Sequence, residues 1–69
     1  MSTYKFGKYT TWDGYEYFAI FKKNIFGWSE QKYWGLSLFG THTKEKELQV
    51  KAQMMETVDR LVKAGHTVL

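Results

Sequence analysis

The chain divides into two halves with different hydrophobic patterns. Between Tyr4 and Phe39, apolar and polar side chains alternate in short segments separated by turns that contain glycine, and every aromatic residue lies in this half. Such alternation is typical of half-buried strands. After Gly40, the segment "THTKEKELQVKAQMMETVDRLVKAG" is rich in Lys, Glu, Leu and Met, which favour a helix. The pattern predicts an α+β fold, a three-stranded antiparallel meander followed by one C-terminal helix packed on one sheet face (βββα).

The helix has start and stop signals in the sequence. Thr41 or Thr43 can cap its first turn, and Gly65 is placed to end it. Its apolar positions cover about 200° of the circumference, more than the roughly 100° that one packed face requires, so part of this surface should lie close to solvent. We predict a single domain over 1–69, with strands at about 4–12, 15–23 and 28–39 and a helix at about 43–64.

Two turns set the predicted strand register. Asp13-Gly14 is a strong signal for a two-residue type I′ turn, which pairs Trp12 with Tyr15 and thereby Tyr9 with Phe18. The segment 24–27 reads "NIFG", with Asn first and Gly fourth, as a type I turn prefers. Together the turns predict a core face made of Phe6, Trp12, Tyr15, Tyr17, Ala19, Phe21, Trp28, Trp34, Leu36 and Leu38.

The opposite sheet face is predicted to remain open, because one helix covers only one side. Tyr9, Phe18 and Tyr33 form a row across it in this register. An exposed apolar surface of this kind often marks a binding site, although such a row can also do no more than stabilise the sheet through cross-strand contacts. Ile25 and Phe26 should be exposed at the hairpin tip and join the same set. The predicted binding residues are Tyr9, Phe18, Tyr33, Ile20, Lys5, Lys22, Ile25 and Phe26.

The composition restricts the possible chemistry. The chain has 69 residues, no Cys and two His, so disulfides and a cysteine-based zinc site are excluded. No apolar run approaches the roughly 20 residues of a membrane span. We therefore expect an intracellular, cytoplasmic protein without a metal, a cofactor or a membrane partner.

Enzymatic activity is the least favoured class of function. The chain lacks a Cys nucleophile and a glycine-rich phosphate loop, and neither Ser29 nor Ser37 lies in a nucleophile elbow. His42 and His66 flank the predicted helix, about 30 Å apart, so they cannot share a metal. We interpret both as capping or surface residues.

Two binding functions remain. The first is a non-enzymatic module that acts through protein–protein contact, such as an accessory or inhibitor protein of a phage or mobile element, with self-association into a homodimer as one form of that contact. Aromatic anchors are typical of such interfaces. The alternative is a nucleic-acid-binding module in which the aromatic residues stack on bases and lysines contact phosphates. The βββα order resembles the amino-terminal domains of tyrosine integrases, which place an open sheet face in a DNA groove. The net charge of +3 is mild, and Arg60 is the only arginine, which disfavours base-specific reading.

Overall fold

The fold is α+β, as predicted. The computed structural model describes residues 2–69. The elements are β1 (Thr3–Thr10), β2 (Tyr15–Asn24), β3 (Gly27–Leu38), α1 (Lys44–Lys63) and β4 (Thr67–Val68). The sheet has the order β3-β2-β1-β4, in which neighbouring strands are antiparallel except for β1 and β4. The helix packs on one face of this sheet.

The short strand β4 was not predicted from the sequence. It follows the helix and pairs in parallel with the start of β1, where Thr67 N donates to Ser2 O at 2.9 Å and Leu69 N donates to Tyr4 O at 2.9 Å. This pairing places β4 at one outer edge of the sheet, and β3 forms the other. The end of the chain is thereby bound to its beginning.

The helix begins and ends where capping chemistry requires. The Thr43 side chain accepts a hydrogen bond from Lys46 N at 3.1 Å, which satisfies one free amide of the first turn. Gly65 has a φ of 90° and follows the last turn, in the left-handed conformation that commonly ends a helix. No helix within residues 2–69 is long and apolar enough to cross a membrane.

The first hairpin has a longer loop than the predicted two-residue turn. Thr11 N donates to Tyr15 O at 2.9 Å, so these two residues face each other and three residues lie between them. Gly14 N donates to Thr11 O at 3.0 Å, and Gly14 has a φ of 88°. This is the three-residue hairpin loop that ends in a left-handed glycine.

The longer loop changes the register of β1 and β2. Tyr9 lies opposite Tyr17 and not opposite Phe18. Because side chains alternate between the faces of a sheet, a shift of one residue moves a whole strand to the other face relative to its neighbour. The predicted pairing of this hairpin is therefore wrong.

The second turn is formed as predicted, but β3 departs from regular pairing beyond it. Asn24 pairs with Gly27, as expected. Further along, Ile20 pairs with Lys32 while Phe21 pairs with Glu30, so that one extra residue of β3 lies between the two pairs. This β-bulge also shifts β2 by one position relative to β3.

The two shifts exchange the faces of β2, so the β2 side chains predicted on the open face lie in the core and those predicted in the core lie on the open face. Phe18 and Ile20 are 5% and 2% exposed and pack under the helix. The predicted core residues of β2 point to the opposite face, Trp28 lies with them, and Trp12 is 98% exposed in the hairpin loop. Those assignments are wrong. The buried core consists of Phe18, Ile20, Leu36, Met54 and Val58, with Phe6 and Trp34 among the partly buried residues packed against it.

Candidate binding surface

The sheet face opposite the helix is lined by aromatic side chains from three strands. The register groups its residues into rows that run from β1 across β2 to β3. In one row Tyr9 and Tyr17 lie beside Gly35; in the next, Gly7 and Ala19 lie beside Tyr33. We call the following residues the aromatic face: Tyr9, Tyr15, Tyr17, Phe21, Trp28 and Tyr33.

The rings of the aromatic face contact one another. Tyr9 meets Phe21 edge to face with ring centroids 5.0 Å apart, and its ring lies 5.9 Å from that of Tyr17. Tyr17 in turn meets Tyr33 edge to face at 6.3 Å. These separations are those of favourable aromatic pairs. These four rings therefore form one continuous surface.

Small residues allow the rings to lie close to the sheet. The Tyr9 ring approaches the position of a Gly7 Cβ to 3.8 Å, and a Cβ on Gly35 would overlap with the Tyr15 hydroxyl. Ala19, which pairs with Gly7, is completely buried although α1 packs on the other face. Glycine and alanine at these positions thus make room for the aromatic rings.

A shallow depression lies within the aromatic face. Its volume is about 230 Å³. Tyr33 is 61% exposed at its edge, so its ring is the most accessible of the three tyrosines there. The lining residues are Thr11, Tyr15, Tyr17, Glu30 and Tyr33.

The electrostatic character of the aromatic face is close to balanced. Lys5 Nζ lies over the Trp28 ring, 4.5 Å from its centroid, and 5.5 Å from that of Phe21, as in cation–π contacts. Burial and the neighbouring Tyr17 raise the pKa of Tyr9, so its hydroxyl remains a neutral donor and acceptor. Glu30 adds a carboxylate to the depression. Lys23 pairs with Trp28 and lies on the same face, so two positive groups and one negative group accompany the rings.

The structure separates the residues that the sequence groups together. Tyr9, Tyr33 and Lys5 lie on the open face, as predicted. Phe18 and Ile20 do not, because they are part of the buried core.

Lys22 also lies on the other side. It alternates with Phe21 along β2 and pairs with Tyr4 and Ser29, so it belongs to the helix-covered face. The predicted position of Lys22 beside the aromatic row is therefore wrong.

The remaining predicted residues lie at the tip of the second hairpin. Ile25 and Phe26 are 92% and 94% exposed, in agreement with the sequence analysis. They stand at the end of the sheet and not within the aromatic face. Phe26 N donates to Asn24 Oδ1 at 2.8 Å, which fixes the turn.

A polar network around His42 was missed by the sequence analysis. The side chain is 6% exposed and lies between β3 and α1. Its Nδ1 is 2.7 Å from Ser37 Oγ and its Nε2 is 2.8 Å from Glu47 Oε1. The interpretation of His42 as a plain capping or surface residue is therefore incomplete. Hydrogen bonds from His42 and Lys8 lower the pKa of Glu47.

This network resembles a serine–histidine–acid relay only in its order of groups. Ser37 Oγ also accepts from the His42 backbone N–H at 3.0 Å, so the hydroxyl closes the loop that leads into α1. Such local hydrogen bonds from serine are typical of turns and caps. We interpret the network as a link between the sheet and the helix. A spacing of five residues between Ser37, His42 and Glu47 is the only signal for it in the sequence.

The same region brings two carboxylates close to the imidazole. Atoms of Glu16, His42 and Glu47 that could bind a metal all lie within 4.8 Å of one another. However, Glu16 approaches Nδ1, at 3.9 Å, whereas Glu47 approaches Nε2. Lys8 Nζ already lies 3.1 Å from Glu47 and 4.0 Å from Glu16. The arrangement is that of an ion-pair network in which an ammonium supplies the positive charge.

Comparison with known proteins adds no family to this description. No family model matches the chain, and neither the curated proteins nor the solved structures contain a match to it.

Proposed function

We propose that the chain is a small, non-enzymatic binding module that acts through protein–protein contact. The observation that carries this proposal is the aromatic face, a continuous surface that no element within residues 2–69 covers. Exposed apolar surfaces of this kind mark interaction sites on proteins that are otherwise well packed. The contact surface is the aromatic face together with its depression.

The chemistry of this surface suits a protein partner. Tyrosine and tryptophan are enriched at the centres of protein interfaces because they offer a large apolar area and a polar group at low entropic cost. Here the rings already pack on one another, and Tyr9 and Tyr15 lie against Gly7 and Gly35. Binding therefore requires little further ordering of side chains, which favours affinity.

The charge distribution gives less support to nucleic acid as the partner. Lys22 lies on the helix-covered face, and Lys5 lies over aromatic rings. Glu30 places a carboxylate where a phosphate would approach. Arg60 is on the helix and donates to Glu56 at 2.8 Å. Backbone-level binding depends on a concentration of positive charge, whereas the lysines on this face are Lys5 and Lys23, partly offset by the carboxylate of Glu30.

A module of this kind acts by occupying a partner's surface. It needs no catalytic group, and 69 residues suffice to present the face. An accessory or inhibitor protein of a phage or mobile element fits this mode of action. A second copy of the chain is the other protein that could cover the same face.

Site-specific photo-crosslinking tests the proposal. A benzophenone amino acid at position 33 should crosslink to a protein in extracts of the native host, whereas the same group at position 53 on the exposed side of α1 should not. Tyr33→Ser should abolish recovery of that protein in a pull-down. Trp12→Ser, which removes a more exposed ring from outside the aromatic face, should leave recovery unchanged.

Other outcomes identify other partners. A crosslinked product with twice the 8.2 kDa mass would show a homodimer, which sedimentation should confirm. Recovery of nuclease-sensitive material that depends on Tyr33 would contradict a protein partner. Equal crosslinking from positions 33 and 53 would show that the aromatic face is not the contact surface.

A further inference from the structure

The tip of the second hairpin presents two apolar side chains to solvent in a fixed conformation. Ile25 and Phe26 occupy the turn between β2 and β3, and both are almost completely exposed. The Asn24 side chain holds the turn through its bond from Phe26 N, and the Asn24 backbone pairs with Gly27. A rigid apolar tip gains free energy from burial without first having to be ordered.

Positive charge surrounds this tip. Lys22 and Lys23 directly precede it, and alternation along β2 places one on each face of the hairpin. The segment 17–29 contains no Asp or Glu. Trp28 pairs with Lys23 and lies immediately behind the tip. The hairpin end thus combines apolar residues, a tryptophan and lysines on both sides.

The first hairpin provides an internal comparison. Its loop also presents an exposed aromatic residue, Trp12. There the neighbour is Asp13, whose pKa is lowered by a hydrogen bond from Thr11, so that the carboxylate is negative at neutral pH. The two tips share apolar exposure and differ in charge.

We propose that the tip of the second hairpin anchors the protein to the surface of an anionic phospholipid bilayer. Ile25 and Phe26 enter the boundary between headgroups and acyl chains, as apolar residues of peripheral proteins do. Lys22 and Lys23 contact the anionic headgroups, and Trp28 lies at the interfacial depth that tryptophan prefers.

Charge on both faces of the hairpin favours a membrane over a pocket in a protein. A convex tip with a lysine on each side is complementary to a flat surface that is negative in every direction. A protein pocket would need matching acidic groups on two opposite walls. The expectation of no membrane partner rested on the lack of a spanning segment, whereas a hairpin tip can lie in the interface without crossing it.

Vesicle co-sedimentation of the full chain tests this proposal. The probes are vesicles of phosphatidylcholine alone and of phosphatidylcholine mixed with phosphatidylserine, at low salt. The protein should sediment with the mixed vesicles only. Phe26→Ser should weaken binding at least about tenfold, because burial of a phenylalanine is lost. Trp12→Ser is the matched control and should bind as the wild type does.

The charge requirement is tested separately. The double variant Lys22→Gln, Lys23→Gln should weaken partitioning roughly 25-fold, since each lysine near an anionic surface contributes about fivefold. Raising the salt concentration should also weaken partitioning, because salt screens the attraction between the lysines and the anionic headgroups. Lys51→Gln on the helix should change little.

Three results would overturn the proposal. The first is the absence of vesicle binding at low salt. The second is binding that Trp12→Ser abolishes and Phe26→Ser retains. The third is equal binding to vesicles with and without phosphatidylserine. Tyr33→Ser should retain vesicle binding, so this inference and the proposed function can fail independently.

Discussion

The two faces of the sheet are formed by the same strands but reach stability in different ways. The helix-covered face buries aliphatic residues such as Ile20 and Leu36 against Met54 and Val58 of α1. The open face has no covering element within residues 2–69 and instead has tyrosine side chains lying against Gly7 and Gly35. One face excludes water with a second layer, and the other does so with its own side chains.

This difference explains how a small chain keeps an aromatic surface without a partner. A tyrosine ring covers apolar area while its hydroxyl remains hydrated. Edge-to-face contacts between neighbouring rings reduce the apolar area that reaches solvent. The open face is thus stable when unbound, yet it retains enough apolar area to bind.

The largest effect should come from removal of a side chain beneath the helix. Met54 and Met55 are adjacent on α1, but only Met54 is buried. Met54→Ala should lower the free energy of unfolding by about 2–5 kcal/mol through loss of contacts and creation of a cavity. Met55→Ala should cost about 1 kcal/mol or less. Urea denaturation followed by tryptophan fluorescence measures both; equal costs would show that the helix packs by a different face.

A smaller effect should follow from adding a side-chain carbon at a glycine that lies beneath the aromatic face. Gly35→Ala should displace the Tyr15 ring, which occupies the space of the new Cβ, and cost about 1–3 kcal/mol. Gly7→Ala is the matched control, because its Cβ would meet the Tyr9 ring at an ordinary contact distance of 3.8 Å. Thermal unfolding of the two variants gives the comparison. If Gly7→Ala is the more destabilising, the rings do not lie on the sheet as described.

The smallest effect should come from replacing one hydrogen-bonded carboxylate, Glu47, at the rim of the helix-covered face, and it should depend on pH. The pKa of Glu47 is lowered by hydrogen bonds from His42 and Lys8, so its contribution to stability is present above the ordinary pKa of a glutamate, about 4.3, and is lost as the pH falls towards the lowered value. Glu47→Gln should therefore lower the urea midpoint at neutral pH, and the difference from wild type should diminish in acid.

Glu45→Gln is the control for that measurement. Glu45 lies in the same first turn and has the same favourable position relative to the helix dipole. Its substitution should have a small effect over the same pH range. Equal pH dependence of the two variants would assign the effect to the helix terminus and not to the network around His42.

The helix and the order of elements could be predicted from the sequence because their signals are local. Thr43 and Gly65 lie at the ends of α1, where capping rules place them. The width of the apolar arc also has a structural counterpart, since Leu48 and Val62 are exposed beside the buried Met54. These features depend on neighbouring residues within the element itself.

The faces of β2 could not be predicted, because they depend on counting residues in its two connections. The sequence "WDG" is compatible with a two-residue or a three-residue loop, and the choice inverts the strand. The bulge at Gln31 also shifts the pairing of β2 with β3 by one residue. An error of one residue at each connection of β2 therefore still gives three strands with compatible faces. Two turns that predict compatible strand faces therefore do not establish the register.

The sequence predicts an exposed aromatic surface, but it does not predict which residues form it. Tyr9 and Tyr33 belong to the aromatic face, whereas Tyr17 takes the central position that the sequence analysis gave to Phe18. Residue type does carry a signal here. Ile20 and Phe18 lack polar groups and are buried, whereas Tyr9, Tyr17 and Tyr33 lie on the side that faces water. The network around His42 depends on long-range contacts with Lys8 and has no comparable signal.

The irregular pairing of β3 has a consequence for molecules at high concentration. An outer strand with regular, unpaired backbone groups can recruit a strand from another molecule and begin a fibril, and a chain with 19% aromatic residues is well suited to stack in this way. The bulge at Gln31 interrupts the outer strand, and Lys32 follows it with a charged side chain. The molecule can therefore display its rings in a crowded solution while this outer strand resists strand addition.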